Sequence, residues 1–208
     1  MRDIYETKNS IYCYKGTNIL INKLGIKDLP TLLEYESKIT AVKLLALRKQ
    51  GITGNFDEEH LKSIHRYLFE DIYPFAGKLR NENIAKGQFM FAQCEFIEPE
   101  LQKLLKQLQA EKEMNRDRKK LASRLAYYMA ELNVLHPFRE GNGRTIREFI
   151  RQVALKNGYF FNIKNVEPQN MLEASIASIV DTKFLEQLIF QCLDKKPIPE
   201  GKEKNTKS

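Results

Sequence analysis

The stretch His-Pro-Phe-Arg-Glu-Gly-Asn-Gly-Arg, residues 136–144, lies between two segments that have the apolar periodicity of buried helices. In the upstream segment, apolar residues recur at steps of three and four at Leu121, Leu125, Tyr128, Met129, Leu132 and Leu135. Pro137 predicts the end of that helix, because a proline ring disfavours helical dihedral angles at the preceding residue. The same period restarts at Ile146, so a second helix is expected to begin between Asn142 and Thr145. The sequence therefore predicts a helix, a tight loop and a second helix.

The loop combines side chains that nucleotide chemistry requires. His136 can accept a proton at neutral pH, and Glu140 can hold a hard divalent cation through oxygen. Arg144 and Arg147 can each fork onto phosphate oxygens. Two glycines flank Asn142 and allow a ligand to approach the backbone, and the unpaired amides at the start of the next helix favour an anion. The pattern indicates a base, a metal ligand and a phosphate cradle.

Each part of this pattern also has a structural explanation. A single histidine after a helix is usually structural, and arginines at every third or fourth position, including Arg151, usually lie on a solvated face, here with Glu148 as partner. A zinc site is disfavoured, because Pro137 denies His136 and Glu140 a common helical face and no cysteine or second histidine lies nearby. The combination of all parts within one short segment favours function.

The segment HPFREGNGRTIR, residues 136–147, resembles the signature of the Fic family. That signature is HPF, any residue, Asp or Glu, GNGR, any two residues and Arg, and the chain matches it at every specified position. The resemblance implies a helical fold. It also implies transfer of AMP from ATP to a hydroxyl side chain (Tyr, Thr or Ser) of a target protein, with release of pyrophosphate.

The resemblance assigns a role to each matched residue. His136 is similar to the general base that deprotonates the target hydroxyl, Phe138 to a buried anchor of the loop, and Glu140 to the ligand of Mg²⁺, with ATP as co-substrate. The residues expected to bind the nucleotide phosphates are Gly141, Asn142, Gly143, Arg144 and Arg147. The related Doc-like kinases carry a lysine at the position of Gly143, so a glycine there argues against transfer of the γ phosphate.

The expected fold class is all-α, a Fic-type helical bundle with a small β-hairpin flap over the active site. Residues 78–96 break the helical period, and apolar residues alternate over residues 88–92, which favours a hairpin. The segments AGKLR and NIAKGQFMF resemble the Fic flap, which covers the nucleotide and docks the target by strand pairing. The matched flap residues are Lys86, Gly87 and Phe91. The alternative is that Phe89 or Phe91 is a core side chain.

The chain has 208 residues, of which 42% are hydrophobic, so one domain with a substantial core is expected. We divide it into an N-terminal irregular lead and helix over residues 1–54, a Fic core over 55–194, and a disordered basic tail over 195–208.

Cap and period signals predict the remaining helices. Thr31 with Glu34 forms a possible capping box for the first, which has Val42 and Leu45 on its buried side. The others are expected to begin at Asp57 and Glu98 and to cover residues 168–178 and 182–193, the last with Phe184 inward. On the second helix, His65 is expected to be a satisfied core histidine and His60 to be exposed.

Composition limits the function class. The net charge of +7 is spread over the chain, without a dense basic stripe between aromatic residues, so direct nucleic-acid binding is not expected. Three widely separated cysteines suit a reducing compartment. Neither a signal peptide nor an apolar run of about 18 residues is present, so membrane insertion and secretion are not expected. The expected location is the cytoplasm, and the resemblance to the Fic family implies a bacterial one.

Fic enzymes are commonly inhibited by a helix with Ser or Thr, three residues, Glu, and then Gly or Asn, whose glutamate pairs with the residue equivalent to Arg147. Residues 182–186 have the spacing, but Gln187 follows, and Glu200 has Lys196 in place of Ser or Thr. The resemblance therefore implies a small antitoxin-like inhibitor that acts in trans, and a target such as a type II topoisomerase. The alternatives are a Fic-fold transferase of phosphate or another nucleotide, and a non-catalytic nucleotide-binding regulator.

Overall fold

The computed structural model describes residues 10–111, 114 and 117–195, and helices dominate this part of the chain. In chain order the helices are α1 (Leu29–Gln50), α2 (Glu58–Phe69), α3 (Cys94–Ala110), α4 (Arg118–Leu135), α5 (Asn142–Lys156), α6 (Pro168–Ala177) and α7 (Lys183–Cys192). Short antiparallel strands pair as β1 (Ala85–Lys86) with β2 (Phe89–Met90) and β3 (Tyr159–Phe161) with β4 (Leu193–Lys195). The predicted all-α class with a small hairpin is confirmed.

Helix α4 is the centre of the bundle and packs against α3, α5 and α7, while α2 packs against α1 and α5. The α4 side chains Leu121, Leu125 and Leu132 are fully buried. Burial of each such side chain contributes about 2 kcal/mol. Neighbouring helices thus fix the positions of α4 and α5, and with them both ends of the loop that joins the two helices.

The loop between α4 and α5 is shaped by two unusual backbone positions. Helix α4 ends just before His136, where Pro137 disfavours right-handed helical angles. His136 adopts a left-handed conformation (φ 46°, ψ 61°), which is uncommon for a residue other than glycine. Helix α5 begins directly after Gly141, whose φ is 79°. A Cβ atom at Gly141 would lie 2.2 Å from the Phe69 ring. Glycine is therefore required there by both the backbone angle and the space, and the predicted start of α5 is confirmed.

Two helix starts differ from their predictions. Asp28, not Thr31, caps α1, and its carboxylate accepts a hydrogen bond from the Thr31 N–H at 2.9 Å. Helix α3 begins at Cys94 rather than at Glu98, so residues 94–96, which were predicted as part of the flap segment, belong to this helix. Pro99 lies inside α3, where it removes one main-chain hydrogen bond close to the helix start. Pro99 therefore predicted the start of α3 only to within about one helical turn.

The buried face of α1 is also different from the predicted one. Val42 and Leu45 are 65% and 62% exposed, whereas Glu36 and Thr40 are buried. The reason is that Glu36 and Thr40 both contact Arg144 on α5. A polar contact between helices, which periodicity does not reveal, fixes the rotation of α1 about its axis.

Two further burial predictions are wrong. His60 is only 3% exposed, because its ring packs against Phe149 and its Nε2 lies 2.9 Å from Gln152 Oε1. Phe184, near the start of α7, is 38% exposed, while its neighbour Leu185 is fully buried. The packing of α2 on α5 buries His60 as well as its neighbour Leu61, and the packing of α7 on α4 leaves Phe184 facing outward.

The C-terminal part contains a strand pair that was not predicted. Strand β4 pairs with β3 in the register Phe160 with Asp194. Lys195 therefore belongs to a strand and not to the predicted tail, whose other residues lie outside the described ones, as do residues 1–9 of the predicted lead. Within the described ranges, no helix combines the length and the apolar character needed to cross a membrane.

Candidate functional site

The predicted site residues meet in one cavity of about 830 Å³. It lies between the β1–β2 hairpin, the loop that joins α4 to α5, the start of α5, and α6. The predicted residues that line it are Lys86, Phe91, His136, Glu140, Gly141, Asn142, Gly143, Arg144 and Arg147. Gly87 is the exception, because it lies exposed at the turn of the hairpin. The volume is typical of pockets for organic ligands, which span about 300–1,000 Å³.

The ring of His136 is held in one tautomer. Its Nδ1 lies 3.1 Å from the carbonyl oxygen of Asn133, which can only accept, so Nδ1 carries the proton and Nε2 the lone pair. The ring stacks on Phe91 with the centroids 3.9 Å apart. Burial, followed by the positive charges of Arg80 and Lys86, lowers the pKa of His136 to about 3. His136 is therefore neutral at pH 7 and able to accept a proton.

His65 supports the loop from the bundle side. The Gly77 N–H donates to its Nδ1 at 2.8 Å, so Nε2 carries the proton and donates to the carbonyl oxygen of Glu140 at 2.9 Å. The ring stacks on Phe138 with the centroids 3.9 Å apart, and burial lowers the pKa of His65 to about 3. The prediction of a satisfied core histidine is confirmed, and the bond to Glu140 shows that it also fixes the loop.

The side chain of Asn142 closes the loop on itself. Its Oδ1 accepts from the Phe138 N–H at 2.9 Å, and its Nδ2 donates to the Phe138 carbonyl oxygen at 2.7 Å. Both residues are buried. The side-chain amide of Asn142 thus makes the hydrogen bonds to the Phe138 backbone that another backbone segment would otherwise make. The backbone of Asn142 belongs to the start of α5, which faces the cavity.

Arg144 is bound mainly by groups of the protein itself. Its Nη2 lies 2.6 Å from Glu36 Oε1 and 3.5 Å from Glu140 Oε1, and its Nη1 donates to Thr40 Oγ1 at 2.9 Å. Glu36 is fully buried and also accepts from the hydroxyl of Tyr73. Sequence reasoning missed Glu36 and Thr40. The available signal was a carboxylate four residues before a threonine within an apolar helix.

Arg147 is oriented towards the cavity. Among the described residues, no hydrogen bond or ion pair joins its guanidinium to another group. Burial, followed by the charge of Arg144, lowers the pKa of Arg147 to about 10, so it remains protonated at neutral pH. A Cβ atom at Gly143 would lie 3.0 Å from its Nη1, so a side chain there would shift the guanidinium. A desolvated cation in this state favours an anionic ligand.

Arg151, one turn further along α5, is engaged differently. Its Nε and Nη2 donate to the two carboxylate oxygens of Glu148 at 2.8 and 2.7 Å. Arg151 does not line the cavity. The structural explanation is therefore correct for Arg151 in its partner Glu148 but not in its solvated face, because the pair is largely buried, while Arg144 and Arg147 line the cavity.

Glu140 presents a half-buried carboxylate at the cavity, and its Oε1 accepts from the Gly141 N–H at 2.8 Å. The described residues contain no group of three or more His, Cys, Asp and Glu that could hold a metal ion by themselves. A single carboxylate fits Mg²⁺, which commonly takes one or two protein carboxylates and completes its shell with phosphate oxygens and water.

The hairpin covers one side of the cavity. Its strands have two residues each, with Lys86 opposite Phe89. The rings of Phe89 and Phe91 pack edge to face with the centroids 5.2 Å apart, and both are half-buried. The alternative that one of them is a core side chain is wrong, because both form the cavity wall.

The opposite wall was not predicted as part of the site. It consists of apolar side chains on α6 and on the segments directly before and after it, namely Ile163, Val166, Met171, Leu172, Ile176 and Ile179. The apolar steps of three and four in this segment predicted a helix but not a ligand surface. Glu186, considered above for inhibition in cis, lies on α7 and does not line the cavity, and Glu200 lies outside the described residues.

Comparisons with known proteins agree with this geometry. A model of the Fic/DOC family matches residues 55–154. Protein adenylyltransferase VbhT of Bartonella schoenbuchensis is 43% identical over 175 residues, which cover 84% of this chain and 37% of VbhT. The probable protein adenylyltransferase Fic of Escherichia coli is 31% identical over 191 residues, which cover 91% of this chain and 94% of that protein.

A crystal structure of the BepC protein of Bartonella tribocorum with bound AMPPNP superposes with a TM-score of 0.82 at 26% identity. The match covers 89% of this chain and 97% of that chain. The chain therefore spans little more than a third of VbhT but nearly all of the Escherichia coli protein. With a complete motif on the cavity wall and relatives that match over most of its length, the chain belongs to the Fic/DOC family.

Proposed function

We propose that the chain is a protein adenylyltransferase, which moves AMP from ATP to a tyrosine, threonine or serine hydroxyl of a target protein. One observation carries the proposal: a neutral His136 and the cationic Arg147, which has no partner among the described residues, line the same cavity. Relatives named protein adenylyltransferases, and the BepC structure with bound AMPPNP, support the same chemistry.

In the proposed reaction, Nε2 of His136 accepts the proton of the target hydroxyl while the hydroxyl oxygen forms a bond to the α phosphorus of ATP. The bond from that phosphorus to the oxygen bridging to the β phosphorus breaks, and pyrophosphate leaves with the electron pair. With a pKa of about 3, His136 is a weak base before nucleotide binds. The negative charge of bound phosphates raises that pKa, and general base catalysis typically contributes about 10²–10⁴ in rate.

The phosphates are expected at the start of α5, where the backbone of residues 141–143 and the helix N-terminus favour an anion. Arg147 binds the outer phosphates, and Arg144, held by Glu36, presents its remaining donors beside it. Glu140 is the residue that would hold Mg²⁺, and a bound Mg²⁺ would neutralise charge on the α and β phosphates. Gly143 leaves Arg147 in place, which supports AMP transfer over the γ-phosphate transfer of Doc-like kinases.

The hairpin is proposed to dock the target. Lys86 and Phe91 form its cavity side, and an extended target segment can pair with its edge. The target is a protein, and a type II topoisomerase of the bacterial cytoplasm is one candidate. The proposed inhibitor is a small antitoxin-like protein that reaches Arg147 in trans. Nucleic acid and membrane are not proposed as direct ligands.

The test uses ATP labelled at either the α or the γ phosphate, Mg²⁺ and a bacterial lysate, with the wild-type chain and His136→Ala compared. We expect protein labelling from the α phosphate only, and its loss in the variant. Labelling from the γ phosphate only would instead establish a kinase. Labelling that persists unchanged in His136→Ala would exclude His136 as the base.

A further inference from the structure

Arg80 precedes β1 in the chain and packs against the loop that joins α4 to α5 (residues 136–141, the motif loop). It is only 2% exposed. Its Nε donates to the carbonyl oxygen of His136 at 2.8 Å, and Nη2 donates to that of Leu135 at 3.2 Å. These are carbonyl groups at the C-terminal end of α4, which have no partner within the helix. The backbone N–H of Arg80 also donates to the Pro137 carbonyl oxygen at 2.9 Å. One residue thus binds three consecutive carbonyls around the proposed base.

The same guanidinium also binds both ends of the hairpin segment. Its Nη1 donates to the carbonyl oxygen of Glu82, before β1, at 2.8 Å. Its Nη2 donates to the carbonyl oxygen of Ala92, after β2, at 2.5 Å. A guanidinium has five N–H donors in one rigid plane, so moving one of these segments strains its bonds to the other. Lysine, a point charge on a flexible stem, cannot reproduce this geometry.

We propose that Arg80 is a positioning residue that holds the hairpin in register with His136, so that a docked target hydroxyl meets Nε2. The inference rests on the proposed function, because it assumes that His136 is the base and that the hairpin docks the target. Arg80 acts through the backbone of His136, whose left-handed conformation places the ring against Asn133 and Phe91. It contacts neither nucleotide nor target in this scheme.

The test is Arg80→Lys, with Arg124→Lys on α4 as the control. Arg124 is half-buried and its Nε donates to Glu111 Oε1 at 2.7 Å, but it does not line the cavity and binds neither the hairpin nor the loop between α4 and α5. We expect kcat for target labelling to fall at least about tenfold in Arg80→Lys, because displacement of reacting groups by ~1 Å can cost about 10²-fold. The KM for ATP should remain within about twofold, since the phosphate-binding residues keep their contacts. Arg124→Lys should keep the wild-type kcat.

A second measurement separates positioning from general destabilisation. Hydrogen exchange of the Phe91 and Ala92 amides, which donate to the carbonyl oxygens of Ile84 and Val134, should accelerate in Arg80→Lys while amides within α4 keep their protection. If Arg80→Lys does not fold, Arg80→Gln, which keeps a planar donor, takes its place. A wild-type kcat in Arg80→Lys, or a fall no larger than in Arg124→Lys, overturns the role of Arg80. His136→Ala in the same assay tests the proposed function separately: if it retains labelling, that function fails first.

Discussion

At the scale of single residues, the environment decides what each of the three histidines does. His60 and His65 accept or donate within the core, whereas His136 carries its lone pair at the cavity. Burial is the largest cause that lowers the pKa of each. A neutral imidazole lets a histidine fill a core position and offer a definite donor and acceptor.

The pKa of His65 predicts acid sensitivity. Because the folded-state pKa of about 3 lies below the ordinary value of 6.5, the unfolded chain binds a proton between these pH values that the folded chain does not. Stability therefore falls as the pH falls through this window. His65→Gln, which can still accept from Gly77 and donate to Glu140, should lose about 2 kcal/mol less between about pH 7 and 5. Urea unfolding of both proteins at both pH values measures this difference, and equal losses would contradict it.

Arg147 and Arg151 both lie on α5, and their substitution by alanine is expected to have different effects. Arg147→Ala should raise the KM for ATP at least about tenfold, because a charge-assisted bond to phosphate contributes about 1.5–3 kcal/mol. It should also abolish inhibition by a trans inhibitor. Arg151→Ala should lower stability, since it leaves Glu148 buried without its main partner, yet keep the KM for ATP. Steady-state kinetics with thermal unfolding distinguishes the two, and an unchanged KM in Arg147→Ala refutes the phosphate role.

At the scale of elements, the hairpin is too short to be stable alone, because each strand has two residues. Its ends are fixed by Arg80 and by the bond from the Ala92 N–H to the Val134 carbonyl oxygen. Its turn depends on Gly87, whose φ is 56°. The element is therefore stabilised at its base.

This arrangement predicts the effect of Gly87→Ala. No atom lies within 4 Å of the new Cβ, so the change acts through backbone strain alone. Strain of about 1 kcal/mol in the hairpin should raise the KM for the protein target about fivefold, with little change in Tm. Gly16→Ala, at φ 76° and also in open space, is the control and should keep that KM. Equal effects of the two changes would argue against a docking role for the hairpin.

At the scale of the molecule, the site draws on more than the segment 55–154 that the family model matches. Helix α1 contributes Glu36 and Thr40, which hold Arg144, and α6 contributes the apolar wall of the cavity. The buried ion pair between Glu36 and Arg144 thus joins the N-terminal region to the motif helix. Removal of one partner leaves the other charge buried, which is strongly destabilising.

Glu36→Gln should accordingly reduce the free energy of unfolding by about 3 kcal/mol. Glu34→Gln on the same helix is the control. Glu34 forms an exposed pair with Lys38 at 2.6 Å, and such pairs contribute little, so the expected change is within about 0.5 kcal/mol. Chemical denaturation measures both, and similar small effects would show that the tie between α1 and α5 does not stabilise the fold.

The sequence alone determined the helix, loop and helix around residues 136–144, because Pro137 and Gly141 restrict local dihedral angles and apolar periodicity is a local signal. It also predicted which motif side chains line one cavity, since a short loop and the first turn of a helix keep them together. The hairpin followed from alternation over residues 88–92 in the same way.

Only the tertiary structure decided which face of α1 is buried, that α6 forms a cavity wall, and that β3 pairs with β4. These features depend on contacts between residues far apart in the chain, such as Glu36 with Arg144 or Arg80 with His136. A buried ion pair or a carbonyl-binding arginine has no periodicity of its own. Such an interaction forms only when folding brings both partners together away from water. It can therefore be identified only once the helices are packed.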